Sequence, residues 1–103
     1  MIDKKELVNL AQEIGGYYVK TVVDIRKGIL AAGARMHADE EKVLLIQGSS
    51  QADLWGGGYD LETKKITFDS IINNKPGANA SSQVLDLSTR KKFEDIMREL
   101  LPI

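Results

Sequence analysis

The sequence predicts an α+β domain in which two β-hairpins build an antiparallel four-stranded sheet with helices packed on one face, in the order α-β-β-α-β-β-α. Three observations carry that expectation. Apolar residues recur at helical spacing near both ends of the chain. Between them lie two runs of β-branched and aromatic residues, each folded about turn-forming residues. The chain is 103 residues long, and halves of that length would be too small to bury a core of their own, so one domain spans residues 1–103.

Asp3 followed by Glu6 fits a variant capping box, and Leu7, Leu10, Ala11 and Ile14 keep helical spacing until Gly15 and Gly16 supply a stop, giving a helix over residues 4–14. Residues 17–25, from Tyr17 to Ile25, read as a strand, and a second apolar run follows at residues 29–32. Gly28 takes the left-handed position of the turn between them. Residues 39–47 hold four consecutive apolar positions, which suit a buried strand or a short helix. The helix is preferred because Asp39, Glu40 and Glu41 favour the positive end of a helix dipole and Gly48 stands where a helix ends. Residues 54–59 and 66–72 form the second hairpin across a polar turn at 60–65, and residues 73–82 form the longest loop. The last helix covers residues 87–101. Asp86 or Ser88 caps it, and Phe93, Ile96, Met97, Leu100 and Leu101 form its apolar stripe. The two α-β-β units suggest duplication, but their sequences do not match as a repeat.

Fourteen basic residues against fifteen acidic ones leave a formal net charge of −1, which does not favour nucleic acid or an anionic membrane as partner. The absence of cysteine excludes disulfides, thiol nucleophiles, thiolate zinc sites and iron–sulfur clusters. With no signal-like N-terminus and no run of eighteen apolar residues, the expected location is the cytoplasm and no membrane association is expected. Little net charge means little colloidal repulsion, which makes a homodimer or another protein partner plausible. No cofactor is implied.

The only histidine, His37, stands at the expected junction of strand and helix, where it could act as an acid or base with Asp39 or Glu40 orienting the ring. The competing reading is a histidine that caps the helix or binds a nearby carbonyl. His37, Asp39 and Glu40 lack the spacing of a metal motif, so no metal is expected. Residues 48–58 join Ser49, Gln51, Asp53, Trp55 and three consecutive glycines. They match neither a P-loop nor G-x-G-x-x-G leading into a helix. The run is either a ligand-binding segment, with backbone N–H groups for an anion, or turn residues around a tryptophan core anchor. Trp55 and Tyr59 with Tyr17 and Tyr18 could stack bases, yet so few aromatics without a basic excess suit packing better. The 73–82 loop offers Asn73, Lys75 and Asn79 as binding groups, or it is a solvated crossover. Asn79-Ala80-Ser81 matches the glycosylation pattern by chance, and no serine sits in G-x-S-x-G.

Three motifs resemble a family of roughly hundred-residue prokaryotic proteins classified as a domain of unknown function. They are H-A-D-x-E at His37-Ala38-Asp39-Glu40-Glu41, G-S-x-Q-x-D-x-W-G at residues 48–56, and S-x-I-N followed by a basic residue and proline at residues 70–76. The resemblance runs from Val22-Val23-Asp24 to the final helix. It implies a shared fold and one polar site, and it transfers no reaction. The family's loop usually ends in G-N-[KR]-S. Here Ala78-Asn79-Ala80-Ser81 lacks the basic residue, which weakens an anion role for that loop. With no complete catalytic constellation, a non-enzymatic binding or protein-interaction module is the favoured expectation. One alternative is a small hydrolase or nuclease-like enzyme using His37 as acid or base, Asp39 to orient it, and Lys75 or loop N–H groups to hold a phosphate. The other is a ligand-binding protein whose pocket uses Ser49, Gln51, Asp53, Trp55, Asn73 and Asn79.

Overall fold

Side chains that alternate along one central strand tie the two helical layers to the sheet in this computed structural model, which describes residues 3–12 and 16–103. The elements run α1 (Lys4–Gln12), β1 (Tyr18–Asp24), β2 (Ile29–Ala32), α2 (His37–Ile46), β3 (Leu54–Asp60), β4 (Lys65–Thr67) and α3 (Leu87–Leu100). Short 3-10 turns occur at Gln51–Asp53 and Ile71–Asn73. The sheet order is β2-β1-β3-β4, and every neighbouring pair is antiparallel. This is the expected α+β order, and the segment expected at 39–47 is helical as preferred, running to Ile46 with Gln47 as its C-cap. Gly28 has φ +69° in the first hairpin turn, and the Asp86 carboxylate caps α3 by accepting from Thr89 N. The expected Ile14 and Gly15 contributions to the first helix lie outside the described residues.

Along β1, Val19 and Val23 join Tyr59 of β3 in a core closed by Leu7 and Ala11 of α1 and by Phe93, Ile96 and Met97 of α3. Val22 faces the other way and packs with Leu54 and with Leu44 of α2. The packing of helices on one face therefore holds for α1 and α3, whereas α2 covers the opposite face. The physical reason lies in β1, which carries valines at both parities and so needs apolar cover on both sides. Each fully buried large side chain such as Phe93 contributes about 1.5–3 kcal/mol.

The second hairpin is shorter than its alternating pattern suggests, because β4 ends at Thr67 rather than near residue 72. Beyond Thr67 a side chain replaces the strand. Asn73 Oδ1 accepts from Gly56 N at 2.7 Å and Asn73 Nδ2 donates to Gly56 O at 2.9 Å, so one amide pairs the edge of β3 as a strand residue would. The glycines of β3 allow close approach. A Cβ at Gly57 would collide with the Thr67 carbonyl oxygen and the Phe93 ring. Gly57→Ala should accordingly cost about 3 kcal/mol, read as a lower urea midpoint; a loss below about 0.5 kcal/mol, the size typical of a harmless surface change, would refute this account.

Candidate functional site

On the α2 face of the sheet an open groove of about 540 Å³ is lined by Tyr18, Lys20, His37, Thr67, Asp69 and Ile71, among others. Strand alternation puts Tyr18 and Lys20 on the same face as Val22, and His37 is the first residue of α2. Gly58, paired with Lys20 across the sheet, leaves the space that the Tyr18 phenol fills. The Tyr18 and Thr67 hydroxyls share a hydrogen bond of 2.6 Å, and Lys20 Nζ donates to Arg35 O at 2.9 Å. His37 Nε2 lies 2.7 Å from Gly57 O. A carbonyl only accepts, so Nε2 carries the proton and Nδ1 is left as an acceptor. Burial lowers the His37 pKa below its ordinary value, with the Lys20 charge acting in the same direction and the Gly57 bond and Asp69 opposing. The ring is therefore neutral at pH 7. Burial raises the Tyr18 pKa, and the Asp69, Glu40 and Asp60 carboxylates add to this against the Thr67 bond.

Asp39 is exposed on the first turn of α2, and the imidazole is oriented through Gly57. The acid that turns inward is Glu40, only 2% exposed. Its Oε2 accepts from Ala34 N at 3.0 Å, and Oε1 is buried without a partner among the described residues. Burial pushes its pKa up to about 8. The sequence carried a signal for this, because Glu40 and the core residue Leu44 are four residues apart and so share one helix face.

A second polar cluster forms around Trp55. Lys75 Nζ donates to Gln51 O at 2.7 Å and sits 4.9 Å from the centroid of the Trp55 ring, a cation–π arrangement. Burial lowers the Lys75 pKa, while Glu41 and Asp53 hold it up. Asp53 pairs with Arg26 at 3.2 Å. Trp55 is buried, and its Nε1 has no acceptor among the described residues. Ser49 Oγ donates to Asp24 Oδ2 at 2.6 Å. Burial opposes ionisation of Asp24, but that bond and the N–H groups of Lys27 and Arg26 outweigh it and hold the carboxyl below the usual range. Asn73 and Asn79 are buried and bonded to backbone. The Asn79 amide donates to Asn73 O, Ser81 O and Gln83 O, and its Oδ1 accepts from Leu85 N.

The fold thus brings Gln51, Asp53, Trp55 and Lys75 together. It places His37 in a separate groove, with Asn73 buried against β3. Tyr18, Lys20 and Asp69 join His37 only through strand register, although polar residues at alternate positions of an otherwise apolar strand were a readable sign for the first two. Among the described residues, no three His, Asp or Glu side chains gather as metal ligands, and no helix is long and apolar enough to cross a membrane.

The chain belongs to the family described as protein of unknown function DUF5674, whose profile matches residues 1–100. Neither the curated proteins nor the solved structures gave a match. The family description assigns no activity, so any role for the groove must come from its geometry.

Proposed function

We propose that this protein is a non-enzymatic binding or protein-interaction module and that the His37 groove is its binding site. One observation supports this above others. The open groove presents a cation, a carboxylate, a phenol and a neutral imidazole beneath an apolar rim, with Ile71 80% and Met36 59% exposed. Donors and acceptors of both signs beside exposed apolar side chains suit recognition of a peptide or protein segment. A cytoplasmic location and self-association belong to the same reading.

A titration followed by two-dimensional ¹H–¹⁵N NMR, using acidic, basic and apolar tetrapeptides, tests it. Shifts should concentrate at Lys20, His37 and residues 67–71, and Ile71→Ala should weaken binding about tenfold without lowering stability, a loss near 1.4 kcal/mol. A panel that moves none of these resonances would sink the proposal.

The hydrolase or nuclease-like alternative draws on the fixed tautomer, since a neutral ring whose Nε2–H donates to the Gly57 carbonyl leaves Nδ1 to accept a proton. Turnover of an ester or phosphodiester that His37→Ala abolishes, with the fold intact, would favour that reading. A small-ligand pocket at Ser49, Gln51, Asp53 and Trp55 draws on the buried, acceptor-free Trp55 Nε1. Its ligand would change Trp55 emission and leave the groove resonances unmoved.

A further inference from the structure

The two edges of the sheet are finished differently. At one edge β4 has three residues, starts with a lysine, and is continued by a cover in which Val84 N donates to Phe68 O and Ser70 N to Ser82 O. At the other, β2 reads Ile29-Leu30-Ala31-Ala32, with neither charge nor proline, and all four residues are partly exposed. Gly33 N donates inward to Lys20 O. Alternation along the strand therefore turns the N–H and C=O groups of Leu30 and Ala32 outward, where no hydrogen bond among the described residues takes them. Edges are usually blunted by charge, proline or cover; this one has neither charge nor proline, and among the described residues no segment pairs with it from outside.

Resting on the self-association named above, we propose that β2 pairs antiparallel with β2 of a second copy across a twofold axis, making one eight-stranded sheet. The edge is complementary to itself. A twofold through Ala31 sets Leu30 of each copy opposite Ala32 of the other, and the outward groups of both pairs then exchange four hydrogen bonds. Ala31 meets its own symmetry mate at the close, non-hydrogen-bonded position, where a methyl group is small enough to fit. Strand pairing alone falls short of the roughly 800 Å² per partner of a stable interface, so the flanking helix contributes. Glu40 of α2 reaches Ala34, just past β2, and the 48%-exposed Val43 follows it on that flank. The near-zero net charge opposes association little.

Light scattering on the intact chain should give twice the 11.4 kDa chain mass. Ala32→Pro removes one outward N–H and no inward bond, so it should return the mass to one chain with an unchanged circular dichroism spectrum. The chain has no cysteine, so Ala31→Cys is a clean reporter. Paired Cα atoms about 4.5 Å apart lie within disulfide range, and this variant should oxidise to a covalent dimer much faster than Leu85→Cys, which is exposed elsewhere. If Ala32→Pro fails to fold, the cross-linking rate decides alone. A wild type that stays monomeric, with Ala31→Cys no faster than Leu85→Cys, overturns both self-association and the pairing. A dimer unaffected by Ala32→Pro and not cross-linked through Ala31→Cys leaves self-association standing and overturns the β2 pairing.

Discussion

Asn73→Ala should leave the protein partly unfolded at room temperature. The side chain is completely buried, and its amide serves Gly56 N, Gly56 O, Phe68 O and Ser82 O. Truncation orphans Gly56 N and Gly56 O in a site closed to water, whereas Phe68 O and Ser82 O lose one donor but keep their bonds from Val84 N and Ser70 N. Each orphan costs roughly 1–3 kcal/mol, but relaxation limits their sum, so a loss of about 3–5 kcal/mol is expected. That is comparable to the lower end of the total stability of a domain, about 5 kcal/mol. Asn73→Asp should not rescue it, because a carboxylate keeps the acceptor for Gly56 N, loses every donor and adds a buried charge. Urea denaturation of both variants reads the effect, and a midpoint near wild type for Asn73→Ala would contradict it. The same experiment weighs Asn73 as a ligand group, since a residue kept for binding would lower affinity when truncated and spare the midpoint.

Asn73 also explains why the second hairpin was only half legible. Ile66, Phe68, Ser70 and Ile72 alternate as a strand does, and period-two patterning extends the strand through all of them. What ends β4 is a side-chain amide further along, competing for the same edge of Gly56, and no local pattern encodes that competition. The first hairpin was readable because its strands and Gly28 agree at every level. So was α3, whose apolar stripe and Asp86 cap are both local.

The place of α2 was harder to read. Val43, Leu45 and Ile46 are exposed, whereas Glu40 is buried, so its sequence has no clear apolar face to assign to the sheet. His37 stood out as a lone imidazole between strand and helix. Its neighbours Tyr18 and Asp69 come from opposite ends of the sheet's sequence and meet only once β1, β3 and β4 are in register. Conversely, Gln51, Trp55 and Lys75 could be singled out because segments 48–58 and 73–82 are compositionally odd. Their mutual contacts were not legible from spacing.

Glu40→Gln should stabilise the protein, and increasingly so as pH rises. In the folded state the carboxyl is buried, one oxygen lacks a partner, and its pKa rises from 4.5 to about 8. Lys20 and the N–H groups of Ala34 and Gly33 oppose this shift, Asp39 adds to it, and burial outweighs all of them. Because the unfolded chain releases this proton more readily, stability is fully present below about pH 4.5, falls between there and pH 8, and levels off above. Glutamine keeps the acceptor for Ala34 N and cannot ionise. At pH 5 the variant should match wild type closely. At pH 9 it should be more stable by about 3 kcal/mol, below the full conversion of the shift at roughly 1.4 kcal/mol per unit because relaxation and water penetration generally reduce the penalty of a buried charge. Guanidinium denaturation of both proteins at the two pH values gives the comparison. A constant difference between them would mean that Glu40 titrates as an ordinary exposed acid. A gap that widens with pH would tie the setting of the β2–α2 loop, and with it the His37 ring at the start of the helix, to one buried proton.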